Sequence, residues 1–220
     1  MILTLTTMVT RLASLNRFSM ERLSAPDTVL EHTGAVALMS YVIGLEVCER
    51  GVILDLGCVL ERAVVHDVDE LVTGDVARPT KHASPRARQL FEELSSAAIV
   101  RVSDDLRAAG LPSAAEAVEN VFPVAKSGRE GAIVALADIL AVVCKVWEEV
   151  ILRGNMSMVR QAHSARRGLV QFERRIADEF HGDASTFLST VVSEAIGVCV
   201  EAIARDTEWN ATKAERYNDD

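Results

Sequence analysis

The run GAIVALADILAVVC, residues 131–144, sets one carboxylate, Asp138, in the middle of residues that are otherwise apolar or glycine. A stretch this apolar on every side belongs inside a protein, so the rest of the chain has to fold around it. An ionised carboxylate buried there costs several kcal/mol unless a hydrogen-bond set, a buried cationic side chain or a metal ion compensates it. The helix predicted around the run spans Glu130–Leu152 and closes at Gly154-Asn155.

A second stretch also carries chemistry. In VVHDVDELVTGD, residues 64–75, two apolar residues lead into the adjacent pair His66-Asp67. Imidazole and carboxylate side by side suit a hard or borderline divalent metal. Glu70 follows three residues after Asp67, on the same side if the helix predicted over roughly Leu54–Glu70 continues that far. Thr73-Gly74-Asp75 then reads as a turn, because Gly accepts positive φ and Asp bonds nearby backbone.

The remaining pieces read as helices joined by short loops. Thr4–Asn16 carries Leu5, Met8, Val9, Leu12 and Leu15 on one face and exits through Arg17-Phe18. A helix starts at Asp27-Thr28, with His32 in its first turns among polar neighbours. Residues 78–88, RPTKHASPRAR, hold Arg78, Lys81, Arg86, Arg88 and His82 and no acidic residue; Pro79 and Pro85 predict a loop, either a solvated one or a phosphate cradle. Ser84-Pro85 opens a helix to Ala97 or beyond. Shorter helices follow at Ser103–Ala109 and Ser113–Val121, then a loop over Val121–Arg129 that includes Lys126. Two amphipathic helices, Ser157–His181 and Asp183–Arg205, are expected to cover the core or form a subunit contact. The organisation is one domain over residues 1–206 and a polar, frayed tail over 207–220.

Composition agrees with an all-α chain. Hydrophobic residues make up 49% and aromatics only 5%, so the core is built from Ala, Val, Leu and Ile. The net charge of -9 has the wrong sign for a sequence-independent DNA binder and suits a small-molecule or protein partner. Cys48, Cys58, Cys144 and Cys199 show no CxxC spacing, so neither a zinc knuckle nor a disulfide scaffold is indicated. The N-terminus lacks a basic region ahead of a long apolar one, and the 131–144 run is shorter than the roughly 20 residues that cross a bilayer. No membrane association and a cytoplasmic location are expected.

LNRF at 15–18, EHT at 31–33, HDVDELVTGD at 66–75 followed by Pro79 and Lys81, and ALAD at 135–138 occur here in order and at set spacings. In this the chain resembles the HD-domain metal-dependent phosphohydrolases, and among them the YfbR-like 5'-deoxynucleotidase branch. The likeness spans about Leu5 to Glu149 and implies an HD-domain helical bundle.

The resemblance implies that His32, His66, Asp67 and Asp138 ligate one divalent ion: Mn, Co, Zn, Fe or Mg. Two neutral imidazoles and two carboxylates leave such an ion near charge balance, with positions open for water and phosphate. It further implies that Glu70, Asp67 and Arg17 carry the catalysis, with Glu70 handling a proton through water or at the leaving 5'-oxygen. Arg17, Phe18, His32, Asp75, Arg78 and Lys81 fall on the substrate. Arg17 and Phe18 match an Arg-Trp pair that contacts phosphate and sugar, with Phe in place of Trp. Asp75 matches a residue that contacts the sugar. Where the family reads Leu-Pro-Thr-Pro, this chain reads Val76-Ala77-Arg78-Pro79. The added cation suits a substrate with more than one phosphate, as in the related phage dATP triphosphohydrolases.

The expected activity is a metal-activated water attacking the 5'-linked phosphorus of a 2'-deoxynucleotide, in the manner of a 5'-nucleotidase on monophosphates. Three alternatives stand beside it: a triphosphohydrolase releasing triphosphate, a nucleotide-binding regulatory module with little turnover, and a structural helical protein. A homo-oligomer is expected from the two C-terminal helices and the resemblance.

Overall fold

Capping chemistry sets where the helices begin. Thr28 and Glu31 form a reciprocal capping box, Glu31 N–H donating to Thr28 Oγ1 at 3.2 Å and Thr28 N–H to Glu31 Oε2 at 2.8 Å. Asp55 accepts Cys58 N–H at 3.0 Å, and Ser84 accepts Ala87 N–H at 3.0 Å with Pro85 in the first turn. The computed structural model describes residues 1–218, with side chains through residue 211. Its helices are α1 (Ile2–Ser14), α2 (Val29–Glu49), α3 (Leu56–Val65), α4 (Glu70–Thr73), α5 (Arg78–Lys81), α6 (Pro85–Ala108), α7 (Pro112–Val121), α8 (Gly128–Val146), α9 (Val159–Glu179) and α10 (Gly182–Asn218). Among the described residues there is no strand, only an isolated antiparallel bridge between Asn16 and Thr28. The fold is all-α, as the sequence implied.

The chain falls into two compact units. The first comprises Met1–Met20, Ala25–Gly44 and Leu54–Val134. Its core joins Val65, Val68 and Leu71 to Ile99, Val102 and Leu106 of α6 and Ala115 and Val118 of α7, with Met8 and Leu12 of α1 packed against them. The second comprises Glu21–Ser24, Leu45–Ile53 and the chain from Ala135 onward. There α9 buries Val159, Ala162, Ala165, Leu169, Phe172 and Ile176, and α10 packs on it through Ala184, Leu188, Val192, Ala195, Cys199 and Ala202.

Several elements depart from the sequence expectation. The helix predicted over Leu54–Glu70 ends at Val65. Beyond it Val68 N–H donates to Val65 O, Glu70 N–H to Asp67 O and Leu71 N–H to Val68 O, so the chain tightens to i→i+3 bonding before α4. The basic segment expected as a loop contains a full turn, α5, because Pro79 at the helix start removes no needed N–H. Ser103–Ala109 is the end of α6, not a separate helix. The loop predicted over Val121–Arg129 includes a 3₁₀ turn at Phe122–Val124. The long helix at 130–152 starts at Gly128 and becomes a π turn at Trp147–Leu152.

The tail expected as frayed from Thr207 continues α10 as far as Asn218, and its last two residues lie outside the described ones. Over Gly182–Ala211, α10 is long and apolar enough to cross a membrane by length and composition. The longest unbroken apolar run lies at 131–144 instead, because Ser, Thr and Glu194 interrupt the apolar letters of α10. One side of this helix is the stripe packed on α9; the opposite side is exposed and carries Thr186, Thr190 and Gly197.

Candidate metal centre

α2 brings His32 in one turn after its cap, its N–H donating to Thr28 O at 3.0 Å. The tightened turn after α3 carries His66 and Asp67, and α8 carries Asp138. One ligand atom from each of His32, His66, Asp67 and Asp138 lies within 4.8 Å of all the others. His66 Nδ1 donates to Ala63 O at 2.7 Å, which orients the ring and aims Nε2 into the cluster. Nε2 faces His32 Nε2 at 3.3 Å and Asp67 Oδ2 at 2.9 Å, with His32 Nε2 at 3.4 Å from the same carboxylate oxygen. Two imidazole nitrogens and a carboxylate crowd one point, with one imidazole oriented by a backbone carbonyl. This is the arrangement a divalent ion requires, and the donor set fits one.

The electrostatics point the same way. Burial pushes the Asp67 carboxyl up, but the charge of His66, hydrogen bonds from His32 and His66, and the charge of Lys126 outweigh it and hold the group well below the usual carboxylate range. Asp67 is thus ready as an anionic ligand. Lys126 had no assigned role in the sequence; Arg62 of α3 donates to the Ser127 carbonyl and ties that loop to the helix leading into His66.

Glu70 is the opposite case. It is 4% exposed, and burial, then the neighbouring charge of Asp67, push it up to about 8; Lys81 and Arg17 pull it down and Asp75 raises it. Its Oε1 meets Lys81 Nζ at 3.4 Å, and its Oε2 has no hydrogen-bond partner among the described residues. The i→i+3 bonding keeps Glu70 on the side of Asp67, as the three-residue spacing would in a continuous helix. Asp69, which the sequence reading passed over, is also buried and raised, and Ser95 Oγ donates to it at 2.6 Å, fastening this turn to α6.

The expected substrate residues divide. Arg17 Nη1 pairs with Asp27 Oδ2 at 3.4 Å, and its guanidinium lies 4.9 Å from the centre of the Phe18 ring. Phe18 is the one non-glycine with positive φ (55°) among the described residues, and its N–H donates to Asp75 Oδ2 at 3.1 Å. Asp75 therefore holds Phe18 through the backbone, a link invisible at a separation of 57 residues. Arg78 stands apart: it is exposed on the first residue of α5, and its charge is felt at His82. No sequence signal marked Asp27 as the partner of Arg17, or Glu149 as a buried group.

The profile described as 5'-deoxynucleotidase YfbR-like matches residues 4–188. No curated protein matches the chain. Among solved structures, a conserved hypothetical protein from Pyrococcus furiosus is similar at 20% identity and TM-score 0.65, over 89% of this chain and 98% of its own. An HD-domain phosphohydrolase from Listeria innocua follows at 17% identity and TM-score 0.58, over 88% and 98%. The cyanophage S-2L HD phosphohydrolase DatZ, bound to dA and one catalytic Zn²⁺ ion, is similar at 17% identity and TM-score 0.56, over 87% and 96%.

Proposed function

Because the chain belongs to the YfbR-like 5'-deoxynucleotidase family, a group of metal-dependent deoxynucleotide phosphohydrolases, we propose that its substrates are 2'-deoxynucleoside 5'-monophosphates, cleaved to deoxynucleoside and phosphate. The observation that carries this reading is the convergence of His32, His66, Asp67 and Asp138 within 4.8 Å, beside a buried carboxyl with a free oxygen.

His32, His66, Asp67 and Asp138 would hold one divalent ion: Mn, Co, Zn, Fe or Mg. Such an ion supplies a Lewis acid for the phosphoryl oxygens and lowers the pKa of water, toward about 7 in zinc enzymes. The protein's own side chains do the rest. Arg17 and Lys81 neutralise phosphate oxygens. Phe18 lies against the sugar, and Asp75, with Oδ2 engaged by Phe18 N–H, has Oδ1 for the 3'-hydroxyl. As the bond between phosphorus and the 5'-oxygen breaks, one proton must leave the attacking water and one must reach the departing oxygen. Glu70, raised toward neutrality and open at Oε2, carries a proton at that step.

A second reading is the triphosphohydrolase, in which the same attack releases triphosphate. It is favoured by the turn α5, which sets Arg78 and Lys81 together with Lys81 already at Glu70. A homo-oligomer is supported by the exposed apolar residues of α1, Ile2, Leu3 and Val9. A cytoplasmic location is supported by four free cysteines.

The deciding experiment incubates the protein with dNMPs, dNTPs and ribonucleotides in the presence of Mn²⁺, Co²⁺, Zn²⁺ or Mg²⁺ and separates the products. Phosphate from dNMPs supports the first reading and triphosphate from dNTPs the second. No hydrolysis of any deoxynucleotide with any of these ions rejects both.

A further inference from the structure

The segment from Asn16 to Thr28 is a loop with a closed neck. Arg17 N–H donates to Asp27 O at 2.7 Å and Val29 N–H to Leu15 O at 2.9 Å, around the Asn16 and Thr28 bridge. Arg17 and Phe18 stand at that neck. The far side of the loop is held by a different part of the chain. Ser24 N–H donates to Glu149 Oε2 at 2.7 Å, and Asn155 Nδ2 donates to the same oxygen at 2.6 Å and to Arg22 O at 2.7 Å. Ser157 Oγ donates to Arg22 O at 2.9 Å, and Arg160 pairs with Glu21 at 2.6 Å.

Glu149 is the centre of this clamp. It is 0% exposed, and Arg153 Nη1 and Lys145 Nζ reach its Oε1 at 3.1 and 3.4 Å. A carboxylate is retained in such a place only when charge and hydrogen bonds compensate it, and its removal leaves buried donors unsatisfied. It sits in the π turn Trp147–Leu152, a local irregularity of the kind often found at functional positions. The π turn continues α8 directly, so Glu149 lies about three helical turns beyond Asp138 on one rod.

We propose that Glu149 is a positioning residue for substrate. It fixes the far side of the 16–28 loop to the rod that carries Asp138, and thereby sets Arg17 and Phe18 for the phosphate and sugar of a deoxynucleotide. The inference rests on the deoxynucleotide reading above. The left-handed backbone at Phe18 gives it weight: a strained residue persists only where its surroundings over-determine it, and Asp75 supplies only one of the restraints.

The test uses Glu149→Gln, Glu149→Ala and Asn155→Ala in the full chain with Mn²⁺ bound. Hydrogen exchange at the amides of residues 17–24 is expected to accelerate about tenfold in Glu149→Ala, with residues 131–138 unchanged. KM for dNMPs is expected to rise about tenfold and the ratio of deoxy to ribo turnover to fall, while kcat and Mn²⁺ affinity stay within about threefold. Glu149→Gln keeps an acceptor for Ser24 and should be the milder change. If Glu149→Ala does not fold, Asn155→Ala tests the same clamp. Unchanged exchange over 17–24 overturns the clamp, whether or not the enzyme turns over a deoxynucleotide. Faster exchange with unchanged KM and sugar ratio overturns the positioning role. A wild-type protein inert toward deoxynucleotides removes the functional reading and the positioning role with it, and exchange still decides the clamp.

Discussion

At His66 a backbone carbonyl sets the ring. Because Nδ1 donates to Ala63 O, Nε2 is aimed at Asp67 and His32, the groups proposed to share an ion with it. His66→Ala and Asp67→Ala are expected to abolish Mn²⁺ binding by calorimetry together with turnover; hydrolysis that survives either change would remove these residues from the ligand set. Glu70→Gln should retain the ion and lose about 10²–10⁴ in rate, the usual contribution of a positioned proton carrier; an unchanged kcat takes Glu70 out of the chemistry. The same residue makes a pH prediction for the metal-free protein. Burial and Asp67 raise its pKa from 4.5 to about 8, so the folded chain binds a proton that the unfolded chain has released between those values. The cost of ionising it in the fold therefore grows as pH rises through that window and is complete above about 8. In chelator-treated protein, Glu70→Gln should melt with the wild type near pH 4 and above it at about pH 9, by on the order of 1–3 kcal/mol. Coincident melting curves at both ends would show that Glu70 ionises freely. Arg78→Ala is expected to lower dNTP turnover more than dNMP turnover if α5 reads a phosphate tail; equal losses on both substrates would favour a purely solvated role.

Helix starts were legible in the sequence, and helix interiors were less so. Thr28 and Ser84 announce their helices because a cap is a local event, complete within four residues, whereas Asp55, which caps α3, went unread. Thr28→Ala removes one half of the capping box of α2 and should cost about 1 kcal/mol, read as a lower melting temperature. Since His32 follows within the first turns, the same variant should also weaken Mn²⁺ binding, and an unaltered affinity would show that α8 and the α3 turn suffice to place the site. The turn after α3 was not legible. Val64 to Glu70 has the residue types of a continuing helix, yet the chain tightens there as Val65, Val68 and Leu71 enter one core with α6 and α7. The three-residue spacing keeps Glu70 on the side of Asp67 in either geometry. The π turn at Trp147–Leu152 escaped for the same reason, as nothing in WEEVIL departs from an ordinary helical pattern.

For the whole chain, the four residues proposed to hold the ion come from segments separated by more than thirty residues on either side of the His-Asp pair. An ion bound only by the folded state stabilises it by about 2.7 kcal/mol at a hundred times its Kd. Dialysis against a chelator should lower the melting temperature, and Mn²⁺ should restore it in the wild type and not in Asp67→Ala; a melting temperature indifferent to the ion in both would leave the His and Asp cluster as a structural polar core. The residues proposed to hold the ion came from the likeness carried by EHT, HDVDELVTGD and ALAD; the carboxylate in an apolar helix and the adjacent His-Asp pair by themselves showed only unmet chemical requirements. The all-α class could be read from sequence, since periodicity and composition are properties of the chain alone. What only the tertiary structure decided were the relations between residues remote in sequence: Asp75 holding Phe18 by its backbone, Lys126 lowering Asp67, Asp27 pairing with Arg17, and Glu149 gripping the loop at Ser24. The physical reason is range. Propensity and capping act over a few residues, whereas desolvation and charge act through space, and a chain shows which of its groups share that space only once it has folded.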